Sequence, residues 1–565
     1  MAKIDMAKFA AFCKDNGFIF QSSEIYGGIN GFWDYGPLGV ELKRNIKDAW
    51  WLDMVRNPPP GPDGQEIRMV GLDCSIIMNP KVWVASGHVG AFADPTRKCS
   101  GCGKFTRADQ LWAILAESEW MNSLIQEFTP VTGKYDTHRL MKWAKGKGPK
   151  LAPNLALVRN PEVTLAWLAT RVNGQPDAPP TLQEFTHYIA TEQLHQTGLQ
   201  EPCPACGAPL GEAKQMSLMF ESHAGLEKSD DSKVYLRPET AQGIFANYRN
   251  VLNSTRLKLP FGIAQIGKAF RNEVTPRNFT FRSREFEQME IEFFCRPEES
   301  MKWYEYWRDL RKKWYSTLGI QSSNLVPREQ GKEELAFYSL GTTDIEYLFP
   351  FSDDPQELEG VAHRGDYDLT QHAKHSGKVD DLAYFDEELW NNDSQTMSTR
   401  SFKEWLKSNT TPEQIAKYKF VPHVIEPSAG ADRFTLAVLC EAFTEEQVKD
   451  AKGNAETRTV MRFHPRLAPI KCAIFPLVNK EGMPEKAMTL YRQLKPHFNV
   501  AYDDKGAVGR RYRRMDEVGT PFCITIDGDT MKDDTVTIRE RDSMAQRRIP
   551  ISQVKDEVLK AISVG

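Results

Sequence analysis

A period-two pattern of residues between Phe261 and Phe294 predicts two strands joined by a basic loop. In the first arm, every second residue shares one face: Ile263, Gln265, Gly267, Ala269, Arg271 and Glu273. In the second arm, one face carries Phe286, Gln288, Glu290 and Glu292, while the other carries the expected core residues Met289, Ile291 and Phe293. The loop contains arginines and no acid: Arg277, Arg282 and Arg284. This combination favours a nucleotide site, because guanidinium groups bind phosphate and aromatic rings stack on bases.

Helical periodicity and turn residues place the other elements. From Pro37 a pattern of apolar residues at helical spacing predicts a helix that stops before Pro58. A second helix is predicted over 240–252, directly after Arg237 and Glu239. A third pattern, at residues 421–443, is a strand, a glycine turn and an apolar helix. From about Ala468, short strands alternate with helices, which is typical of a compact α/β domain.

Length and composition restrict the class of protein. A chain of 565 residues is too long for one core, so two to four domains are expected. No apolar run approaches the ~20 residues that span a bilayer, and the first residues lack a signal-peptide pattern. We therefore expect a cytoplasmic protein with no membrane partner. The net charge of −4 means that any contact with RNA depends on local basic patches.

Four of the ten cysteines form two Cys-x-x-Cys pairs, Cys99 with Cys102 and Cys203 with Cys206. Glycine follows each pair, and four thiolates suit a tetrahedral structural zinc ion. The alternatives are that the pairs lie far apart or that no metal binds. The residues between the pairs, Thr106–Gln200, have Leu, Ala and Trp at helical spacing and predict a helical insertion.

Several motifs in order identify a family resemblance. The hairpin contains FRNE, FRSREF and EQMEIEFF; RPETAQG precedes the helix over 240–252; and EPSAGADR ends in Arg433. These stretches resemble motifs 2 and 3 of the class II aminoacyl-tRNA synthetases, and more narrowly those of the dimeric glycyl-tRNA synthetases. The helix from Pro37 resembles motif 1, which forms the dimer interface in the class. If the motif 2 stretch is considered alone, the alternative is an amphipathic hairpin whose outer face is charged and solvated.

The resemblance implies an α+β fold: an antiparallel-sheet catalytic domain with helical insertions, followed by an α/β anticodon-binding domain. Its expected segments are 1–98, the first part of the catalytic domain with motif 1; 99–213, the insertion with the cysteine pairs; 214–465, motifs 2 and 3 with a second insertion at about 300–420; and 466–565, the anticodon-binding domain. In the last domain, clustered arginines beside an aromatic are a candidate tRNA contact, with a solvated helix face as the alternative: Arg510, Arg511, Arg513 and Arg514.

The resemblance also implies site residues. The expected catalytic residues are Arg271, Glu273 and Arg433. The expected ATP contacts are Arg271, Asn272, Glu273, Phe281, Arg282, Phe286, Glu357, Leu358, Gly430, Ala431, Asp432 and Arg433. The expected glycine contacts are Arg107, Glu239, Phe286, Glu287, Gln288, Glu290, Glu426 and Ser428.

The implied activity is that of an enzyme, a glycine–tRNA ligase. ATP and glycine would form glycyl-adenylate, Mg²⁺ would bridge phosphate oxygens, and the acyl group would pass to the 3′ end of tRNA(Gly). Two alternatives remain open at this point. The chain could be a synthetase-like binding protein that has lost aminoacylation, or a class II synthetase for serine, threonine or proline.

Overall fold

The computed structural model describes residues 4–116, 118–128, 137–159, 161–162, 201–336, 339–378, 381–397, 399–408, 410–449 and 455–563. The chain divides into two compact units. The first unit comprises Met1–Ser86, Phe220–Arg271 and Arg277–Gly565; the second comprises Gly87–Met219 and Asn272–Pro276. Within the described part of the chain, no helix has both the length and the apolar character needed to cross a membrane.

A seven-stranded sheet organises the first unit. In spatial order its strands are Leu325–Glu329, Gly341–Tyr347, Gln356–Gly365, His423–Gly430, Glu285–Cys295, Phe261–Phe270 and Arg68–Gly71. Every neighbouring pair is antiparallel except the last, in which Arg68–Gly71 runs parallel to Phe261–Phe270. The predicted α+β architecture with an antiparallel sheet is therefore confirmed.

The predicted motif 2 hairpin forms two neighbouring strands of this sheet, Phe261–Phe270 and Glu285–Cys295. Their register pairs Gln265 with Glu290 and Gly267 with Gln288, so these side chains share one face. Met289 and Ile291 alternate to the other face and are fully buried in the core. The face assignment made from the alternation is confirmed.

Helices cover both faces of the sheet. One face packs against Pro37–Trp51, Ser300–Thr317 and Ala431–Ala442 through a core rich in tryptophan and phenylalanine. The helix Ala241–Thr255 contributes to a second core with Phe261 and Phe294. The helices predicted from Pro37 and over 240–252 are thus confirmed, the first continuing as a π-helix over Leu52–Arg56.

The expected second insertion at about 300–420 is wrong for much of its length. Three strands of the central sheet come from residues 325–365. The strand Gln356–Gly365 is rich in charged residues and therefore does not look like a central strand in the sequence. Its Glu359 and Arg364 are nevertheless buried, because each has a charged partner.

The first unit also contains shorter elements. Its other strands before residue 470 are Ile19–Gln21, Trp33–Tyr35, Phe220–His223, Lys233–Leu236, Tyr384–Phe385, Lys419–Phe420, Phe443–Lys449 and Ala455–Met461. Its other α-helices before residue 470 are Met6–Asp15, Pro80–Ala85, Tyr367–Ser376, Glu387–Asp393, Phe402–Trp405 and Pro412–Ala416.

The end of the chain forms the predicted α/β fold. Its five strands, in spatial order, are Val500–Tyr502, Cys472–Pro476, Phe522–Ile526, Thr535–Glu540 and Gln546–Pro550. The first three strands are parallel to one another. Thr535–Glu540 is antiparallel to both of its neighbours, Phe522–Ile526 and Gln546–Pro550. The accompanying helices are Met483–Leu494, Val508–Glu517, Thr530–Asp533 and Val554–Ile562. They enclose a separate apolar core.

The second unit contains a three-stranded sheet and short helices. The strands are Phe105–Arg107, Ala93–Lys98 and Lys214–Ser217. The described helices are His88–Ala91, Leu111–Ala116, Glu119–Phe128, Thr137–Lys145, Gly148–Leu151 and Ala156–Arg159. They agree with the helical periodicity of the predicted insertion, whose residues 163–200 lie outside the described part of the chain.

Candidate functional site

Backbone pairing brings motif 2 and motif 3 together on one face of the central sheet. The motif 3 strand, His423–Gly430, lies beside the second motif 2 strand and pairs Ser428 with Glu290. On its other side it pairs with Gln356–Gly365, which sets Ala362 opposite Glu426. Three strands that are far apart in sequence therefore contribute to one surface.

Glu290 lies at the centre of this surface and is only 2% exposed. Ser428 donates its hydroxyl to Oε1 of Glu290 at 2.6 Å, and the Thr240 hydroxyl donates to Oε2. Burial and the nearby charge of Glu239 raise the pKa of Glu290, although these two hydroxyl donors oppose the change. The carboxyl group is thus held firmly in a place where negative charge is costly.

Glu426 is the second acid of this surface. The Arg364 guanidinium donates to Oε2 of Glu426 at 2.7 Å. Burial nevertheless raises the pKa of Glu426 to about 8, helped by the charges of Glu290 and Glu239 and opposed by Arg364. Since Glu239 acts on both other acids, three predicted glycine contacts from separate segments converge. We call this group of three glutamates the acid pocket.

A polar network that the sequence analysis did not assign supports the acid pocket. Asp368 accepts hydrogen bonds from Nε and Nη2 of Arg364 at 2.8 and 3.0 Å. Gln242 donates from Nε2 to both Asp368 and Glu239, at 2.9 and 3.0 Å, and its Oε1 lies 2.9 Å from Nε2 of His372. The sequence offers two signals for this network: Arg364 and Asp368 lie four residues apart in RGDYD, and Gln242 lies in RPETAQG.

Next to the acid pocket, arginines surround Glu357. Arg433 forms an ion pair with Glu357 at 3.2 Å and lies 4.8 Å from the centre of the Phe281 ring. Arg433 lowers the pKa of Glu357, with smaller contributions from Arg271 and Arg282. Three predicted ATP contacts therefore place positive charge in one region, which suits an anionic ligand.

Arg271 connects this cationic region to the acid pocket. Its guanidinium lies 5.3 Å from the centre of the Phe286 ring, and its Nε donates at 3.0 Å to the carbonyl of Pro238. Pro238 directly precedes Glu239. The cation, the aromatic ring and the first acid of the pocket are thus fixed relative to one another.

Three predicted site residues belong to the second unit and have their described contacts there. Arg107 forms a two-bond contact with Asp109, at 3.1 and 2.7 Å, and lies 3.0 Å from Asp94. These acids raise the pKa of Arg107, with a further contribution from Glu273. The amide of Asn272 donates to the carbonyl of Leu218 at 2.8 Å.

Two predicted site residues have side chains on the other face. Glu287 pairs with Lys43 and Lys47 at 3.0 and 2.8 Å, and Asp432 pairs with Lys43 at 2.7 Å and accepts from Tyr35. This arrangement contradicts a glycine contact through the Glu287 side chain and an ATP contact through that of Asp432. The reason is the alternation of the strand, which turns residue 287 to the face of Met289.

Two other predicted ATP contacts present only main-chain atoms. The Leu358 side chain is 1% exposed and lies in the apolar core, and Ala431 is fully buried at the start of its helix.

The predicted glycine contact Gln288 lies in the acid pocket region. Its Nε2 donates to the Ser428 hydroxyl at 3.3 Å.

In the second unit, the predicted metal-binding cysteines lie together. Their four sulfur atoms are all within 4.8 Å of one another, with 3.6 Å between Cys99 and Cys206 and 3.8 Å between Cys102 and Cys203. The backbone N–H groups of Gly101 and Cys102 point at the Cys99 sulfur. The two pairs are therefore not far apart, which removes one alternative from the sequence analysis.

Comparison with known proteins agrees with this geometry. A model of the tRNA synthetase class II core domain (G, H, P, S and T) matches residues 225–464, and one of an anticodon binding domain matches 471–561. The glycine–tRNA ligase of Rhodopirellula baltica is 48% identical over 561 residues, 98% of each chain. That of Clostridium perfringens is 43% identical over 558 residues, 99% of this chain and 98% of its own. The chain belongs to the glycine–tRNA ligase family.

Two of the four clustered arginines of the anticodon binding domain have partners within that domain. Arg511 is buried and donates to the carbonyls of Pro476 and Gly506, and Arg514 pairs with Asp503. Both arginines bind groups of their own domain, and the buried Arg511 does not belong to a solvated helix face. Arg510 and Arg513 lie on the same helix, Val508–Glu517.

Proposed function

We propose that this family member activates glycine with ATP and transfers it to the 3′ end of tRNA(Gly). The observation that carries the proposal is the convergence of Glu239, Glu290 and Glu426 beside the arginines around Glu357. The acids suit a small ammonium group, and the arginines suit polyphosphate. A site of this kind needs no protein nucleophile, because positioning and charge neutralisation suffice for both steps.

In the proposed activation step, a carboxylate oxygen of glycine attacks the α-phosphorus of ATP. The bond to the bridging oxygen of pyrophosphate breaks, and pyrophosphate leaves with the electron pair. Arg271 would hold the α-phosphate, the Phe286 ring would stack on adenine, and Arg433 would bind the far phosphates. Mg²⁺ would neutralise charge on the phosphates, and the half-exposed Glu357 carboxylate offers an oxygen ligand that would hold it.

Glycine has no side chain, so apolar contacts cannot select it. The acid pocket would bind the ammonium group, and Ser428, fixed by its bond to Glu290, would occupy the space of a larger substrate's side chain. An added methyl group would then meet a hydroxyl that cannot move without breaking a buried hydrogen bond.

The experiment that tests this proposal is ATP–pyrophosphate exchange with a panel of amino acids. We expect exchange with glycine, with a kcat/KM at least about tenfold above that for alanine. Exchange with serine, threonine or proline instead would favour a different class II synthetase. No exchange with any amino acid would favour a binding protein without aminoacylation activity.

The raised pKa of Glu426 predicts a pH dependence of glycine binding. Below pH 8 the empty pocket keeps Glu426 protonated, whereas the ammonium group needs the ionised carboxylate. Binding must therefore release this proton, and affinity increases as the pH rises. We expect the KM for glycine to fall by about eightfold between pH 6.5 and 7.5. A glycine KM that stays constant over this range would contradict the assignment, and the KM for ATP serves as the control.

We further propose a structural zinc ion bound by Cys99, Cys102, Cys203 and Cys206. A tetrahedron with Zn–S bonds of about 2.3 Å has sulfur–sulfur edges of about 3.8 Å. The separations of 3.6 and 3.8 Å in the second unit fit this size. Four sulfur ligands leave no open position, so the ion would stabilise the fold and take no part in the reaction.

Elemental analysis tests the zinc proposal without an activity assay. The parent protein should contain about one zinc per chain, and Cys203→Ser should lose most of it because three thiolates bind zinc more weakly than four. Cys74→Ser, which removes a half-buried cysteine outside the cluster, should keep its zinc. Equal zinc contents in the two variants would exclude this site.

We also propose a homodimer formed through the motif 1 region. Large apolar side chains are exposed on the helix Pro37–Trp51 and in the segment that precedes it: Ile25, Tyr26, Ile29 and Val40, with Ile25 at 87%. Sedimentation should give twice the chain mass of 64.3 kDa. Val40→Asp should shift the protein towards monomer, whereas Val326→Asp, also exposed but on the edge strand Leu325–Glu329, should not. A parent protein that sediments as a single chain would refute the dimer.

A further inference from the structure

Glu292 lies on the same strand face as Gln288 and Glu290 but has no role in the proposed function. Its side chain is completely buried, two residues beyond Glu290 on the second motif 2 strand. No N–H or O–H group of the described residues donates to either of its carboxyl oxygens. A buried carboxylate without a donor is unfavourable, since it has lost water and gained nothing in return.

The groups that face Glu292 are mostly acidic. Oxygen atoms of Glu290, Glu292 and Glu426 lie within 4.8 Å of one another. On the first motif 2 strand the residue opposite Glu292 is Ile263, which cannot titrate. The facing cation is Arg364 of the strand Gln356–Gly365, and its N–H groups already donate to Glu426 and, from two nitrogens, to Asp368. One guanidinium therefore cannot compensate a further negative charge at Glu292.

We infer that Glu292 keeps its proton when the pocket binds glycine, and donates a hydrogen bond to Glu426 that positions the Glu426 carboxylate for the ammonium group. This inference rests on the proposed function. It makes Glu292 a positioning residue: it acts on the substrate through Glu426. Arg364 and Glu292 would then provide two donors to one carboxylate, one charged and one neutral.

The electrostatics of the pair agree with this assignment. Burial, with the neighbouring charge of Glu426, raises the pKa of Glu292 well above its usual range. Glu426 lies beside Arg364 and is the easier of the two to ionise. When the ammonium group enters, Glu426 therefore releases its proton and Glu292 retains its own. In the bound state Arg364 and the ammonium group already face Glu239, Glu290 and Glu426, so they cannot also compensate an ionised Glu292.

The test compares three variants by ATP–pyrophosphate exchange with glycine. In Glu292→Gln the amide N–H replaces the carboxylic O–H, so the KM for glycine should stay within about threefold of the parent. In Glu292→Leu no donor remains, so this KM should rise about tenfold or more. Glu239→Gln removes an acid proposed to face the ammonium group and gives the reference loss, again about tenfold or more.

Glu359→Gln is the matched control outside the acid pocket. Glu359 is also a buried acid of the central sheet, but Arg311 and Tyr315 donate to it at 2.7 and 2.5 Å. This control should lower the thermal unfolding midpoint while leaving the glycine KM near the parent value. Glu292→Gln should leave both the unfolding midpoint and the glycine KM near the parent values, because it removes no ion pair.

Three outcomes would overturn the inference. A Glu292→Gln variant as weak for glycine as Glu239→Gln would mean that Glu292 acts as an ionised acid. Glu292→Leu with the glycine KM of Glu292→Gln would mean that no donor is needed. A parent protein without glycine-dependent exchange would refute the proposed glycine site itself. Because the parent is measured separately from the variants, this outcome is distinguished from the other two.

A second measurement decides the case where Glu292→Leu does not fold. The slope of log KM for glycine against pH, below pH 8, counts the protons released on binding. If only Glu426 releases a proton, the parent and Glu292→Gln should both show a slope near one. A parent slope near two that falls to one in Glu292→Gln would mean that Glu292 also ionises, which overturns the inference.

Discussion

The structure depends on burying several carboxyl groups on one face of the central sheet. Glu290, Glu426 and Glu292 are buried side by side; the Arg364 guanidinium acts on all three, and that of Arg237 acts on Glu290. Ionising these carboxyl groups is costly in the empty protein, because burial raises the pKa of all three acids. The same cost becomes useful when a cation enters, since a small ammonium group then relieves it. Recognition of glycine would therefore depend on charge in a confined place.

Strand register is what makes this arrangement possible. Glu290 is fixed opposite Ser428 by one ladder, and Glu426 opposite Ala362 by the next. A shift of one residue in either ladder would turn an acid into the apolar core and a core residue into the pocket. The apolar face of the same strands, with Met289 and Ile291 fully buried, therefore determines the geometry of the polar face. The same strand register therefore determines both the packing of the apolar core and the geometry of the acid pocket.

Much of this could be predicted from the sequence, because period-two alternation assigns residues to faces before any fold is known. The alternation over Phe261–Phe294 predicted which side of the hairpin enters the core, and it also implied the misplacement of Glu287, which is in phase with Met289. The expected insertion at about 300–420 failed for a different reason. A charged strand such as Gln356–Gly365 looks exposed until its partners are known, and those partners, such as Arg311 for Glu359, lie on other elements. Pairing across the sheet cannot be deduced from a local pattern.

The opposite face shows how the motifs are held to one another. Lys43 of the motif 1 helix lies between Glu287 of motif 2 and Asp432 of motif 3, and Asp432 also accepts the Glu287 backbone N–H. Although burial opposes it, Lys43 lowers the pKa of both acids, so this cluster has its charges paired. The two faces of one strand thus differ in kind. On one side, paired charges fix the three motifs relative to one another. On the other side, the acids can still bind a cation. A site whose charges were all paired within the protein would gain little free energy from binding a ligand.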